Sequence, residues 1–214
     1  MRILAIGLVT GVAVALLVGV LIQNGVANLT PPTPEATPEM VTDPSEAPPE
    51  TGDDVMPLPP TEQTVVSASG QYILEITASD GWDSTSAIAA LYRNSAHQDE
   101  RELLWQRSLP QSYGPKYAVV SNQGQVVMLD EWINVASPYA VMVFDQNDNL
   151  LSQTSFDRLQ TLLAVPRRQI VDQAMQGWWI SAPPKLNTES AAVTVKTAGK
   201  QLIIDLTTGE LTAL

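Results

Sequence analysis

From about residue 64 to the end of the chain, apolar residues occur in short runs that are separated by Gly, Asn, Asp and Ser. Short apolar runs bounded by turn-forming residues are typical of β-strands. Two of these runs repeat one pattern, because VVSASGQYI at 65–73 and VVSNQGQVV at 119–127 share the form VVS-x-x-GQ. Gly70 and Gly124 are therefore predicted to lie in equivalent hairpin turns, where a positive φ is required.

Two further pairs of segments match in the same order along the chain. AIAALYRN at 87–94 matches AVMVFDQN at 140–147, and ELLWQRSL at 102–109 matches NLLSQTSF at 149–156. Three matches in one order predict two copies of a four-stranded unit, and the short connections predict antiparallel meanders. The predicted strands are 64–69, 71–78, 86–94 and 102–109 in the first copy and 117–122, 125–131, 139–146 and 149–155 in the second.

The segment 156–176 is predicted to form two short helices that cover one face or an open edge of the sheets. Its apolar residues recur at helical spacing. Thr154 and Asp157 have the spacing of a capping box at the start of the first helix. Pro166 suits the first turn of the second helix, and Gly177 is placed to end it.

A third, partial copy of the unit is predicted at the end of the chain. The sequence VTVKTAGKQLIIDL at 193–206 places Gly199 in the turn position of Gly70 and Gly124. Residues 190–214 are therefore expected to form a C-terminal β-hairpin.

The repeated unit resembles the blades of extracytoplasmic β-propellers of the TolB type and of WD-repeat-like modules. Such blades often begin with an apolar run, a Ser-x-x-Gly turn and a second strand, as residues 64–156 do. The chain also looks like uncharacterised, membrane-anchored bacterial proteins that carry such blades. The resemblance implies a mainly β fold with blade-like sheets. A closed propeller usually needs at least four blades, so two blades and a fraction do not predict a closed ring or a central ligand channel within one chain.

The N-terminal region is predicted to be a signal anchor. Residues 3–22 carry no charge, and at about 1.5 Å per residue they are long enough for a transmembrane helix. Arg2 precedes them and the next basic residue is Arg93, so the N-terminus is expected in the cytoplasm and the rest in the periplasm or outside the cell. The alternative is a signal peptide cleaved near Ala27, after the small residues of Gly-Val-Ala, which would release a secreted protein.

Residues 28–63 are predicted to be a disordered linker between the anchor and the β-domain. They contain ten prolines, eight acidic residues and no basic residue. Such a segment cannot bury enough apolar surface to fold, and its prolines and like charges keep it extended. The linker is expected to hold the β-domain away from the membrane.

Composition excludes several classes of function. From residue 64 onward the chain has 15 acidic and 10 basic residues and no basic cluster, which argues against nucleic-acid binding. The chain has no Cys, so disulfides and thiol catalysis are excluded. No motif for a cofactor is present, and none is expected.

Carboxylates at matching ends of the second strands are the candidates for catalysis. DGWD at 80–83 and DEW at 130–132 follow these strands in the two copies. A pair formed by Asp83 with Asp130 or Glu131 could hydrolyse a glycosidic bond in an envelope glycan. The simpler interpretation is that these acids lie at solvated strand ends.

The tryptophans are the candidates for ligand contact. Adjacent residues of a strand face opposite sides, so Trp178 and Trp179 cannot both point inward if their segment is extended. One of them is the best candidate for contact with a sugar or protein ligand, and the alternative is that the tryptophans belong to the core. His97, the one histidine of the chain, lies in a polar loop and is interpreted as solvated.

The stretch FDQNDNLL at 144–151 has oxygen-bearing side chains at alternate positions, as a calcium loop does. An EF-hand-like loop would need Gly at its sixth position and Glu at its twelfth, where this chain has Leu150 and Phe156. The stretch is therefore predicted to be a hairpin turn and not a metal site.

The expected function is that of a membrane-tethered binding or scaffold module for an envelope protein or glycan, and the alternative is the carboxylate-based hydrolase. Small residues also recur every fourth position in the apolar span, at Gly7, Gly11, Ala15 and Gly19. Small residues at this spacing allow two membrane helices to approach closely. A homodimer through this helix face is a further expectation.

Overall fold

The computed structural model of the chain describes residues 57–94, 101–175 and 177–214. Within it, Gly52–Leu214 form a compact unit of their own. The predicted anchor, the Gly/Ala helix face, His97 and the linker before residue 57 lie outside the described residues. In the part that is described, no helix is long and apolar enough to cross a membrane.

The first two sheets confirm the two predicted antiparallel meanders. Sheet 1 has the order β1-β2-β3-β4 and sheet 2 has the order β5-β6-β7-β8. The strands of sheet 1 are β1 (Glu62–Val66), β2 (Tyr72–Ala78), β3 (Ala87–Asn94) and β4 (Arg101–Leu109). The strands of sheet 2 are β5 (Pro115–Val120), β6 (Val126–Glu131), β7 (Val141–Phe144) and β8 (Leu150–Thr154).

The third unit is a complete four-stranded sheet, so the prediction of a C-terminal hairpin was too short. Sheet 3 has the order β9-β10-β11-β12. Its first strand contains two prolines, which cannot donate to a ladder and are tolerated because β9 is an edge strand. The strands are β9 (Ala182–Asn187), β10 (Ala192–Thr197), β11 (Lys200–Asp205) and β12 (Leu211–Ala213).

The glycine turns confirm the repeat in two sheets and correct it in the third. Gly70 and Gly124 both have positive φ, and their N–H groups donate to the carbonyls of Ser67 and Ser121 at 2.8 and 3.1 Å. Both turns join the first and second strands of their sheets. Gly199 also has positive φ, but it joins β10 to β11, the second and third strands, and is therefore not their equivalent.

Strand pairing shows which residues of sheets 1 and 2 correspond. Val66 pairs with Ile73 across the first hairpin of sheet 1, whereas Val120 pairs with Val126 in sheet 2. The connection is one residue shorter in sheet 2, so Ile73 corresponds to Val126 and not, as the aligned letters imply, to Val127. Since side chains alternate along a strand, this single-residue shift exchanges the two faces.

Sheet 2 lies between the other two sheets and is buried on both faces. Val126, Met128, Met142 and Phe144 join residues of sheet 1 in one core. The alternate residues of the same strands join sheet 3 and the helices in a second core. This explains why β6 and β7 are apolar without alternation. The first strands also approach one another, since β5 contacts both β1 and β9.

Two short helices connect sheet 2 to sheet 3, as predicted. They are α1 (Phe156–Leu163) and α2 (Arg167–Asp172). The N-cap of α1 is Ser155, whose hydroxyl accepts the N–H of Arg158, so the predicted capping box at Thr154 is wrong by one residue. The second helix ends at Asp172, several residues before Gly177. Phe156, Leu159 and Leu163 bury the apolar face of α1 in the core.

Candidate binding groove and the predicted site residues

A groove of about 780 Å³ lies between strand β8, helix α1 and the turn that connects β11 to β12. Sheet 2 and sheet 3 provide its two walls, and α1 connects them. The residues that line it are Leu151, Ser152, Gln153, Thr154, Arg158, Thr161, Leu162, Gly209, Glu210 and Leu211. We refer to this set as the β8 groove.

One wall of the β8 groove is a free strand edge. β8 is the last strand of sheet 2 and pairs only with β7. In the described ranges, no other backbone hydrogen bond reaches Leu150–Thr154. Backbone N–H and C=O groups on such an edge are available to pair with another extended chain.

The other side of the groove is fixed by the close approach of the β11–β12 turn to strand β8. Gly209 has a φ of 75° and lies against β8, where an added Cβ would be 2.7 Å from the Cβ of Ser152. No larger residue fits there without displacing the strand. The glycine therefore sets the width of the groove at this end.

The surface of the groove combines a few apolar groups with one charge of each sign. Leu162 is partly exposed on α1, and Leu151 and Leu211 lie on the two strands. Arg158 and Glu210 are exposed and belong to different walls. There is no aromatic residue in the groove.

The predicted carboxylates Asp130 and Glu131 are buried and fully engaged with the protein. The two oxygens of Asp130 accept the backbone N–H groups of Glu131 at 3.0 Å and of Trp178 at 2.6 Å. Glu131 accepts the N–H of Ser112 at 3.1 Å and the hydroxyl of Ser137. Neither residue lines the β8 groove. Their hydrogen bonds hold backbone segments together.

Burial raises the pKa of Asp130 to about 7, because desolvation penalises the carboxylate. Its hydrogen bonds from Trp178 and Glu131 and the charge of Lys116 act in the opposite direction, while the charge of Glu131 raises the pKa further. A carboxyl group of this kind is a candidate general acid. It would need access to a substrate, and its side chain has no exposed surface.

Asp83, the other member of the predicted pair, is in a different environment. It is exposed in the loop after β2, where its N–H donates to the carbonyl of Asp80. The hydrogen bonds of Asp130 and Glu131 reach other segments, and none of them involves this loop. Asp83 is therefore exposed whereas Asp130 and Glu131 are buried, and a catalytic pair between them stays a prediction.

Two tryptophans from the matching loops bind the end of the proline-rich segment. The indole N–H of Trp82 donates to the carbonyl of Pro59 at 2.9 Å, and that of Trp132 donates to the carbonyl of Pro57 at 2.7 Å. Lys116 lies over the ring of Trp132, 4.0 Å from its centroid. The last residues of the predicted linker therefore pack on the β-domain, and β1 begins at Glu62, before the expected start.

This contact predicts a small but specific loss of stability in Trp132→Phe. In a fragment that begins at Gly52, we expect the free energy of unfolding to fall by about 1 kcal/mol, because one hydrogen bond is lost. The matched control is a fragment that begins at Thr61 and lacks Pro57. In that fragment the substitution should cost clearly less in urea unfolding, because only the cation–π contact of the ring with Lys116 is weakened. An equal loss in both fragments would contradict this role of Trp132.

Trp178 and Trp179 lie in a turn and not in a strand, so the premise of the ligand-contact prediction is not met. Trp179 is fully buried in the core between sheets 2 and 3 and cannot contact a ligand. Trp178 is half-buried and packs edge-on against Phe156, with ring centroids 6.4 Å apart. Arg167 lies over both of these rings. Trp178 therefore retains only a small surface for contact.

The stretch after β7 is the predicted hairpin turn. Asp145 accepts the N–H groups of Asn147 at 2.8 Å and Asn149 at 2.9 Å, and these bonds lower the pKa of its carboxyl group against the effect of burial. Asp148 has a positive φ and forms an ion pair with Arg107 at 2.7 Å. The carboxylate of Asp145 is thus used by the turn itself, and that of Asp148 pairs with strand β4 of sheet 1. Within the described residues, no group of three or more His, Asp or Glu could hold a metal ion.

Comparisons with known proteins do not assign this chain to a family. No protein-family model matches the sequence, and a search of curated proteins finds no match. The function must therefore be inferred from the groove and the surfaces described above.

Proposed function

We propose that the chain is a membrane-tethered extracytoplasmic binding module, and that the β8 groove binds an extended segment of an envelope protein. The observation that carries this proposal is the free edge of β8 along the groove wall. An extended peptide that pairs with such an edge obtains its affinity from main-chain hydrogen bonds. Its specificity comes from the side chains that the neighbouring elements contact.

The lining of the groove favours a polypeptide over a glycan. Sugar-binding platforms use exposed aromatic rings, and the groove has none. Leu162 and Leu211 supply apolar contacts, while Arg158 and Glu210 supply one charge of each sign. We therefore expect a ligand segment with alternating apolar and polar residues.

The placement of the domain outside the cell membrane is supported by the sequence. The uncharged stretch at 3–22 has the length of a membrane span, and the acidic, proline-rich stretch that follows has the composition of a spacer. We further infer that the three sheets are propeller-like blades. Support comes from their shared meander order and from the approach of β5 to β1 and β9.

The groove can be tested with a random peptide library displayed on phage and selected on the full chain. We expect enriched peptides that bind the full chain and lose at least tenfold in affinity when Thr161→Arg fills the groove. Gln169→Arg adds the same charge at an exposed site on α2 and serves as the matched control. Bound peptide should also slow hydrogen exchange in Leu150–Thr154.

The outcomes of this selection are distinct. Protection of β8 together with loss of binding in Thr161→Arg alone supports the proposal. Failure to enrich peptides, or equal binding by the two arginine variants, overturns it. If the native chain is retained on isolated envelope glycan and the Thr161→Arg variant is not, the ligand of the groove is a sugar and not a protein.

A further inference from the structure

The face of sheet 1 that points away from sheet 2 carries an apolar row whose residues, in the described part of the chain, belong to neither apolar core; one of them, Ile73, is only 5% exposed. Val66, Ile73, Tyr92 and Leu103 lie directly opposite one another on β1, β2, β3 and β4. Val66 and Leu103, at the two ends of the row, are 53% and 49% exposed. We call these four residues the sheet 1 row.

The same positions in sheet 2 form a packing surface between sheets. By strand pairing, the counterparts of the row are Val120, Val126, Phe144 and Leu150. The first three are buried in the core that sheet 2 shares with sheet 1. Both sheets also have a bulge at the same place, between Leu91 and Tyr92 and between Val143 and Phe144. In this row, sheet 1 therefore carries the kind of side chains with which sheet 2 packs against its neighbour, whereas the next outward position of β2 is Glu75, where sheet 2 has Met128.

The outer face of sheet 3, at the opposite end of the three stacked sheets, is polar. On sheet 3, the face that points away from sheet 2 has the row Lys185, Thr194, Ile203 and Thr212, with Lys196 beside it. A polar outer face is what terminal repeats need for solubility. Burying these lysines against an apolar row would cost their desolvation. The sheet 1 row is therefore not suited to the outer face of sheet 3 in a second copy.

Charges on either side of the sheet 1 row are self-complementary. Glu75 lies on one side of the row and Arg101 on the other, and within the chain their side chains meet across it at 2.8 Å. A two-fold axis along the row exchanges its two sides. Each apolar residue of the row would then face the same residue of the second copy. Glu75 of one chain would lie on the same side of the row as Arg101 of the partner copy.

We propose that the sheet 1 row binds the same row of a second copy of this chain, with a two-fold axis along the row. Two-fold contacts of this kind close on themselves, and the lysines on sheet 3 prevent further addition. At about 4.8 Å between strands the row is only about 14 Å long. This is at the low end for a stable interface, so the dimer dissociates on dilution.

The test uses the full chain in membranes and takes advantage of the absence of Cys. Val66→Cys and Leu103→Cys place one thiol at each end of the row, and mild oxidation should give a disulfide-linked product of twice the chain mass. Leu150→Cys is the matched control, because it has the equivalent position in sheet 2 and is 45% exposed. We expect its yield of dimer to be at least fivefold lower.

Charge reversal tests the orientation of the two copies. In the Leu103→Cys chain, Glu75→Arg or Arg101→Glu alone should lower the yield of dimer several-fold, and the two together should restore it. Thermal unfolding of the same chains separates a loss of folding from a loss of contact. Equal yields at positions 66, 103 and 150 would indicate random collision and overturn the proposal.

Other occupants of the row give other products. A benzophenone amino acid in place of Leu103 reacts with any neighbouring chain on illumination. A product of twice the chain mass supports the dimer. A product of a different mass would show that another protein covers the row, and an internal cross-link would show that a segment of the same chain covers it, so either result overturns the proposal.

Discussion

Replacing Gly124 by Ala is expected to lower the free energy of unfolding by about 3 kcal/mol, whereas Gly70→Ala should lower it by only about 1 kcal/mol. The two glycines hold the same turn in successive sheets, with φ of 80° and 71°. The backbone strain of an added Cβ is therefore nearly the same at both positions. The difference arises from what the Cβ would touch.

At Gly124 the added methyl group meets a packed side chain. Its position is 2.7 Å from Cε1 of Tyr72 and 3.1 Å from Cβ of Gln146, while at Gly70 no atom lies within 4 Å. The ring of Tyr72 is buried in the core between sheets 1 and 2, so it cannot move aside without a loss of packing. Overpacking of this kind typically costs about 1 to 3 kcal/mol beyond the strain.

Urea unfolding followed by tryptophan fluorescence measures both variants in the fragment from Gly52. Tyr72→Ala provides the test of mechanism, because it removes both Cδ1 and Cε1, the ring atoms that the methyl group would meet. In that background, Gly124→Ala should cost no more than Gly70→Ala does in the native fragment. Similar losses at Gly70 and Gly124 in the native fragment would show that the ring yields freely.

The eight strands of sheets 1 and 2 could be predicted because each repeat shows the same turn and the same apolar runs. The register could not be predicted from aligned letters alone. A connection shorter by one residue changes which face Val126 and Val127 occupy, and both are apolar because sheet 2 is buried on both sides. Alternation, which normally fixes the face, is absent there.

The third sheet was predicted only in part, for two local reasons. The prolines of β9 argue against a strand unless its edge position is known, and that position is a tertiary property. The second reason is the assignment of Gly199 to the wrong hairpin. A better signal was present in Asp145, which directly follows the third strand of sheet 2, and in Asp205, which ends the third strand of sheet 3; both accept N–H groups two residues further on. Aligning these turns would have predicted β12.

The β8 groove and the sheet 1 row depend on how the sheets stack, which no local pattern states. Leu162, one of the groove residues, fits the helical spacing of α1 as well as any core residue does, but it faces the groove. The burial of Asp130 is likewise set by its contact with Trp178, 48 residues later. The DEW motif was therefore correctly placed at the end of the second strand of sheet 2. Its acids were expected to be solvated, but they are buried.

The buried carboxyl group of Asp130 predicts that the domain loses stability as the pH rises from about 4 to about 7. Its pKa is about 7 in the folded chain, against an ordinary value of 3.8 for an aspartate. Below about pH 4 the group is protonated in both states and carries no penalty. Between the two values the unfolded chain ionises while the folded chain keeps the proton, so the unfolded state is increasingly favoured.

Above about pH 7 the group is ionised in both states, and the loss becomes constant at roughly 4 kcal/mol, from about 1.4 kcal/mol per pKa unit. Asp145 and Asp205 act in a separate window. Hydrogen bonds to their carboxylates lower their pKa values, so the stability that they contribute is lost only as the pH falls below about 4. A decline between pH 4.5 and 7.5 therefore does not come from them.

Asp130→Asn is expected to abolish most of this decline. The amide cannot ionise, but one of its oxygens becomes an NH₂ group that faces the N–H of Glu131 or Trp178. The variant should therefore be about 1 to 3 kcal/mol less stable than the native fragment near pH 4.5, through the lost hydrogen bond. The gap should close or reverse at pH 8, where the native carboxylate carries its full desolvation penalty. Urea unfolding at both pH values measures this crossing, with Asp83→Asn on an exposed loop as the control. Parallel pH profiles for the native and Asp130→Asn fragments would mean that Asp130 is ionised in the folded chain throughout this range.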